Sequence, residues 1–149
     1  YAKWVFSRKK LFLFDTFVGF SKEEQDYDKN ELGLKYERDF TDTSVEEVMA
    51  RMLNPQSCVV KKGLFPQTAT DLNNEKFCFV SIDTDLYSPI KAGLEFFYER
   101  LSQGGFIFVH DYSNTAFPGA KQAVNEFWEE HGIPFNPVCD WMGSAIIRK

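Results

Sequence analysis

The stretch Phe77–Pro89, FCFVSIDTDLYSP, decides the fold. It opens with the apolar run Phe77-Cys78-Phe79-Val80, continues through Ile82, and stops on two acids, Asp83 and Asp85. A run that is apolar on both faces suits a strand covered on both sides by helices. The design returns at Gly105-Phe106-Ile107-Phe108-Val109, followed by His110-Asp111. Two such strands side by side bring their acids to one edge of a sheet. In open α/β sheets ligands bind outside the carboxyl ends of the strands, so a site is expected at that edge.

Working outward, Leu11-Phe12-Leu13-Phe14 reads as another strand, ending on Asp15, with a turn at Gly19. Residues 21–41 are charged and read as a loop with at most a short helical turn. Ser44, or Asp42, can cap a helix over VEEVMARM, whose first-turn Glu46 and Glu47 suit the helix dipole. Cys58-Val59-Val60 is a short strand, followed by Gly63 and the loop LFPQT. Ser88-Pro89 reads as the cap and first position of a helix running to Leu101, with Gly104-Gly105 as the break before the next strand. A further helix spans Gly119 to Glu130, and His131 at its end reads as a partner for the C-terminal dipole. Phe135 to Lys149 reads as two strands turning near Trp141–Gly143, an antiparallel hairpin at the sheet's edge. Strands alternating with helices imply a mostly parallel sheet in a single α/β domain over residues 1–149. Residues 1–7 read as the tail of a helix without a start signal, so the chain is expected to begin mid-element, as an N-terminally truncated domain.

The formal net charge of −5 argues against a nucleic-acid backbone as partner. No apolar stretch approaches the roughly 20 residues that span a bilayer, and YAKWVFSRKK lacks the plan of a signal peptide. Cys58, Cys78 and Cys139 have no metal-site spacing and read as small core residues in a reducing, cytoplasmic setting.

Three constellations carry chemistry. Asp15 at a strand end can accept hydrogen bonds from ribose hydroxyls, or it can cap a turn. Asp83 with Asp111 on the neighbouring strand can hold a hard cation such as Mg²⁺, which takes oxygen ligands and keeps several waters. Asp85 either joins that site or caps the following helix. An EF-hand is excluded, because the sixth position from Asp83 is Ser88 and the twelfth is Leu94. His110 is open between metal ligand, proton acceptor and a residue turned back into the sheet. The aromatic set Trp4, Phe17, Phe20, Phe65, Tyr87, Tyr112, Trp128 and Trp141 reads mostly as core, although Phe17, Phe65, Tyr87 and Tyr112 sit near the acidic edge and can wall a pocket. Gly63 follows a strand at that edge, where its backbone can approach a ligand closely.

LFLFDTFVGF, FTDTSVEEV, KKGLFPQT, VSIDTDLYSP, LSQGGFIFVHDY and GAKQAVNEF, in this order and spacing, resemble the macrocin O-methyltransferase family, which includes enzymes that methylate sugar hydroxyls on macrolide and aminocoumarin antibiotics. The resemblance covers nearly the whole chain. It implies the Rossmann-like sheet of class I methyltransferases, with S-adenosylmethionine as methyl donor and Mg²⁺ as cofactor. Asp15 would then hold the cofactor ribose, with Thr16, Phe17, Gly19 and Phe20 shaping the adjoining loop and Ser44 and Gly63 approaching the adenosine. Asp83 would bind metal and help deprotonate an acceptor hydroxyl. His110 and Asp111 match a metal-binding pair that is Asp-Asp in the antibiotic enzymes. The family's glycine-bearing first strand would precede Tyr1. The implied partner is a small-molecule or glycan hydroxyl, and a homo-oligomer is compatible.

Two other readings stand beside this one. A non-catalytic remnant on the same fold would use none of these acids. A haloacid-dehalogenase-type phosphatase would use Asp83 as nucleophile, but Tyr87 stands where that family usually has Thr or Val.

Overall fold

The structure, a computed structural model, describes residues 9–34 and 40–149. In order, the elements are β1 (Leu11–Asp15), α1 (Lys22–Glu31), α2 (Val45–Arg51), β2 (Cys58–Lys62), β3 (Phe77–Ile82), α3 (Tyr87–Arg100), β4 (Leu101–Val109), α4 (Pro118–His131), β5 (Phe135–Pro137) and β6 (Ala145–Arg148). The predicted helix tail over residues 1–7 lies outside the described residues.

The strands form two sheets. β1 pairs with β2 in parallel, and β3, β4, β6 and β5 form a second sheet in that order. β3 and β4 are parallel, whereas β6 runs antiparallel to both β4 and β5. The alternation therefore yields parallel pairs, and the last two strands make the expected hairpin at the edge. The β1–β2 ribbon meets the larger sheet through rings: Phe12 on Phe77 with centroids 5.8 Å apart, and Phe14 on Phe97 at 5.8 Å. Phe65 lies between Phe14 and Phe97, so it is packing and not a free pocket wall.

The core lies on one face of the larger sheet. Val80, Ile82, Ile107, Val109 and Ile147 are buried there against Leu94 and Phe97 of α3 and Val124 and Phe127 of α4. Each such burial contributes about 1.5–3 kcal/mol. The opposite face differs: Phe79 is 58% exposed and Phe106 38% exposed. Cover on both sides, expected from the apolar run, thus holds for one face only among the described residues. The run FCFV carries no information about which face has a partner.

Five local expectations are corrected. Residues 22–31 are an α-helix and not a loop, with Ser21 capping it by accepting from Glu24 N at 3.1 Å. α3 starts at Tyr87, one residue before Ser88, and its cap residue Leu86 offers no side-chain bond. The acceptor at that helix start is Asp28 of α1, whose Oδ2 receives Tyr87 N at 3.2 Å. β4 begins at Leu101 and runs through Gly104-Gly105, where a Cβ on Gly105 would come within 3.0 Å of Cys78 O. Cys78 and Cys139 are exposed and Cys58 only half-buried, so none is a core residue. Trp128 and Trp141 are likewise exposed.

Candidate active site

The carboxyl ends of β3 and β4 lie side by side, with Ile82 paired to Val109 and His110 N donating to Ile82 O at 2.9 Å. Parallel neighbours in register deliver the residues that follow them to the same place. Asp83, His110 and Asp111 accordingly bring ligand atoms within 4.8 Å of one another. His110 Nδ1 stands 4.0 Å from Asp83 Oδ1. Asp111 is buried, whereas Asp83 and His110 reach solvent.

The backbone here is strained. Asp85 has φ +61° and Asp111 φ +59°, a left-handed conformation uncommon outside glycine but favoured among the rest by Asp and Asn. Such residues persist when their surroundings over-determine them and cluster at functional sites. Burial raises the pKa of Asp83, the Asp111 charge raises it further, and His110 opposes both. Burial first, then the charges of Asp83 and Asp111, push Asp85 up to about 7. Asp85 is not a helix cap; its carboxyl belongs electrostatically to this group. Among the described residues, no lysine or arginine forms an ion pair with Asp83, Asp85 or Asp111. Crowded carboxylates without a basic partner attract protons or a cation.

The donor-side residues gather at the end of β1. Asp15 is exposed, and its Oδ1 accepts from Phe17 N at 2.7 Å. The turn-cap role weighed for it is therefore present, and it leaves Oδ2 available. Gly63, at φ +133°, donates from its N to Asp15 O at 2.9 Å, so the two share one corner. Thr16 Oγ1 closes the loop on Gly19 O at 2.5 Å, and Phe17 is buried with φ +56°. Phe20 packs on Phe40 at 5.2 Å. Ser44 caps α2, accepting from Glu47 N at 3.2 Å. Asp15 and Asp83 close two different sheets, so the predicted residues form two groups and not one.

Two aromatic candidates have structural duties. Tyr87 is buried and its hydroxyl bonds to Glu126, which also receives Lys91 Nζ at 2.9 Å. Burial and that bond push Tyr87 up to about 12, which keeps it neutral and unsuited to act as a base. Tyr112 donates from its hydroxyl to Asn125 Oδ1 at 3.0 Å and packs on Phe135 at 5.1 Å. His131 sits in the last turn of α4, as expected, and meets Glu95 Oε1 at 2.8 Å.

Sequence reasoning missed Asn114, whose Nδ2 donates to Asp111 Oδ1 at 2.7 Å and orients that carboxylate. The position three residues after the acid was the only available signal.

Residues 2–148 match the family model described as Macrocin-O-methyltransferase (TylF). The chain is 34% identical over 71 residues to mycinamicin III 3''-O-methyltransferase of Micromonospora griseorubida, covering 48% of this chain and 27% of that protein. It is 29% identical over 84 residues to 8-demethyl-8-(2,3-dimethoxy-alpha-L-rhamnosyl)-tetracenomycin-C 4'-O-methyltransferase of Streptomyces olivaceus, covering 56% of this chain and 31% of that one. The chain thus spans about a third or less of these two relatives. The solved O-methyltransferase NovP superposes with a TM-score of 0.72 at 20% identity, over 95% of this chain and 61% of that structure. That likeness speaks for the fold, the Rossmann-like sheet of class I methyltransferases. With residues 2–148 matched by the family model, the chain belongs to the macrocin O-methyltransferase (TylF) family.

Proposed function

We propose that the protein is an S-adenosylmethionine-dependent O-methyltransferase acting on a sugar hydroxyl of a natural product or glycan, with a divalent ion assisting deprotonation. The observation that carries this reading is the Asp83–His110–Asp111 group at the ends of two parallel strands, in a chain of this family. A phosphatase reading of the same acids loses its ground with the family assignment.

The donor set fits a hard cation. Two carboxylates supply oxygen, and a raised Asp83 pKa marks anions in want of a positive partner. Asp83, His110 and Asp111 would hold the ion, and the imidazole departs from an all-oxygen set. The chemistry a divalent ion supplies when bound is acidification of a hydroxyl at neutral pH. The donor supplies a methyl group on a sulfonium, and Asp15 would accept from its ribose hydroxyls while Gly63 lets the backbone come close.

The chain's own part in the reaction follows from its charges. Desolvation at the strand end and the nearby Asp111 charge raise the proton affinity of Asp83, which makes it a better base than a free carboxylate. Asn114 fixes the Asp111 carboxylate, so only Asp83 and His110 need to adjust to an acceptor. Methyl transfer is an in-line displacement, and holding the acceptor oxygen and the methyl group in line supplies much of the acceleration.

Residues 1–149 act as one domain in this reading. Among the described residues no helix is long and apolar enough to cross a membrane. The test is calorimetric titration of the protein with S-adenosylhomocysteine, with and without Mg²⁺. Saturable binding is expected in both, with Mg²⁺ needed for turnover. No binding in either condition would leave the remnant reading in place.

A further inference from the structure

We infer that the buried carboxylate of Asp28 is a positioning residue: by bonding the first amide of α3 it fixes the loop that carries Asp83 and Asp85. This rests on the methyltransferase reading above and names what holds its acid loop in shape. α1 has almost no apolar residue, and Asp28 is the one residue of it that is buried, at 0% exposure. A buried acid adds nothing to an apolar core and costs desolvation, so it is retained for what it bonds. Its Oδ2 accepts from Tyr87 N at 3.2 Å. That amide is one of the orphan donors of a helix start, and Leu86 supplies no side-chain bond there. A negative charge also suits the positive end of a helix dipole. α1 thus caps α3 from outside.

α4 encloses the contact from the other side. A Cβ on Gly119, in the first turn of α4, would lie 3.0 Å from Tyr87 N and 3.2 Å from Asp28 Oδ2. Asp28 itself is braced. Its carbonyl accepts from Leu32 N and Leu34 N, both at 3.1 Å, and Tyr27 beside it stacks on the Tyr87 ring with centroids 5.7 Å apart. The loop between β3 and α3 is therefore pinned at both ends. At Ile82 it is held by His110 N, which donates to Ile82 O at 2.9 Å, and at Tyr87 by Asp28. Only Asp83, Thr84, Asp85 and Leu86 are left to turn a strand into a helix. They do so with Leu86 N donating to Thr84 O at 2.6 Å and Asp85 left-handed at φ +61°. Strained backbone persists where its surroundings over-determine it. Release at Tyr87 lets Asp85 return to the common φ range and takes the Asp83 carboxylate with it. Asp111 is left-handed too, but other bonds hold it: Asn114 N donates to Asp111 O at 3.0 Å and Ser113 N to Gly143 O at 2.9 Å.

The test is NMR on isotope-labelled protein, without metal or methyl donor. A residue at positive φ gives an unusually strong cross-peak between its own amide and α protons, because that conformation brings the two together. The wild type should show it at Asp85, at Asp111 and at Phe17, whose φ is +56°. Asp28→Ala should lose it at Asp85 alone, and Asp28→Asn, which keeps an acceptor oxygen, should restore it. A residue that only adds stability would leave all three peaks in the folded protein; that result overturns the inference, as does an Asn variant no better than Ala. Where Asp28→Ala does not fold, Gly119→Ala wedges the same contact from α4 and should have the same effect; an intact Asp85 peak there overturns the inference equally. In calorimetry, Mg²⁺ affinity should fall about tenfold in Asp28→Ala, the loss of a supporting partner of a ligand, while S-adenosylhomocysteine affinity holds. A wild type that binds no Mg²⁺, with the Asp85 peak still governed by Asp28, would sink the metal reading and leave the hold on the loop standing. Mg²⁺ binding that Asp28→Ala leaves unchanged would do the opposite.

Discussion

Two carboxylates and an imidazole meet twice among the described residues. Asp83, His110 and Asp111 meet at the strand ends, and Glu95, Glu130 and His131 meet on the outer surface of α3 and α4. The residue types are nearly the same, but the electrostatics differ. In the helical group Lys91 Nζ lies 2.7 Å from Glu130 Oε1, and His131 Nε2 lies 2.8 Å from Glu95 Oε1. Glu130 already has a lysine partner and Glu95 an imidazole one, on long side chains at the surface. At the strand ends the side chains are short, Asp111 is buried on left-handed backbone beside Asp83, and among the described residues neither pairs with a lysine or arginine. The comparison teaches that counting ligand-type residues does not locate a site. Uncompensated charge on a stiff frame does.

The strongest way to break the contrast is Asp83→Ala. Removing a positioned base and metal-binding carboxylate should lower turnover about 10²–10⁴-fold, with the fold kept because Asp83 lies outside the packed core. Wild-type turnover in that variant would show the two clusters to be equivalent. Glu95→Ala, its counterpart on the helices, should leave turnover within about twofold. Next comes Asp111→Asn, which keeps the left-handed backbone, since Asn also tolerates it. Mg²⁺ affinity measured by calorimetry should fall by more than the roughly 10–100-fold that losing a mere supporting partner of a ligand costs, while S-adenosylhomocysteine affinity stays. Equal loss of both would make Asp111 structural.

A smaller effect separates the clusters by pH. Asp85 holds its proton to about 7 in the folded protein, against 3.8 ordinarily. The folded state therefore binds more protons than the unfolded one across that window, and stability without metal should fall as pH rises through it. The loss should be about 1–2 kcal/mol once partial exposure is allowed for. Thermal melts from pH 4 to 8 should show it, and Asp85→Asn should flatten the curve; a curve just as steep in the variant would reject the assignment. Smallest of all, Glu130→Gln should change stability by less than about 0.5 kcal/mol, because it removes only an exposed ion pair. A larger loss in denaturant unfolding would mean that the helical cluster is the more important one.

The acid edge was legible because a buried strand ending on Asp is a local pattern, and parallel neighbours in register carry it to a common place. The helix cap at Ser44 and the terminal hairpin were legible for similar reasons. α1 was not, since KEEQDYDKNE has almost no apolar stripe to mark a helix. Its one local signal was the Ser21–Glu24 capping box, in which Ser21 Oγ also donates to Glu24 Oε2 at 2.7 Å. Nothing local shows that Asp28 ends up under the start of α3, 59 residues away. Gly104-Gly105 read as a stop, whereas Gly105 is needed for close approach of two backbones. The exposure of Phe79 and Trp141 was illegible for one reason: hydropathy describes a side chain and not its neighbours.

The β1–β2 ribbon has a mechanical consequence. Two strands alone are only marginally stable in water, and this pair touches the larger sheet through edge-on phenyl rings and not through a backbone ladder. Rings can tilt and slide over one another while a ladder of amides must break. Among the described residues, the distance between the corner that carries Asp15 and Gly63 and the corner that carries Asp83 and Asp111 is therefore set by how Phe12 and Phe14 seat on Phe77 and Phe97.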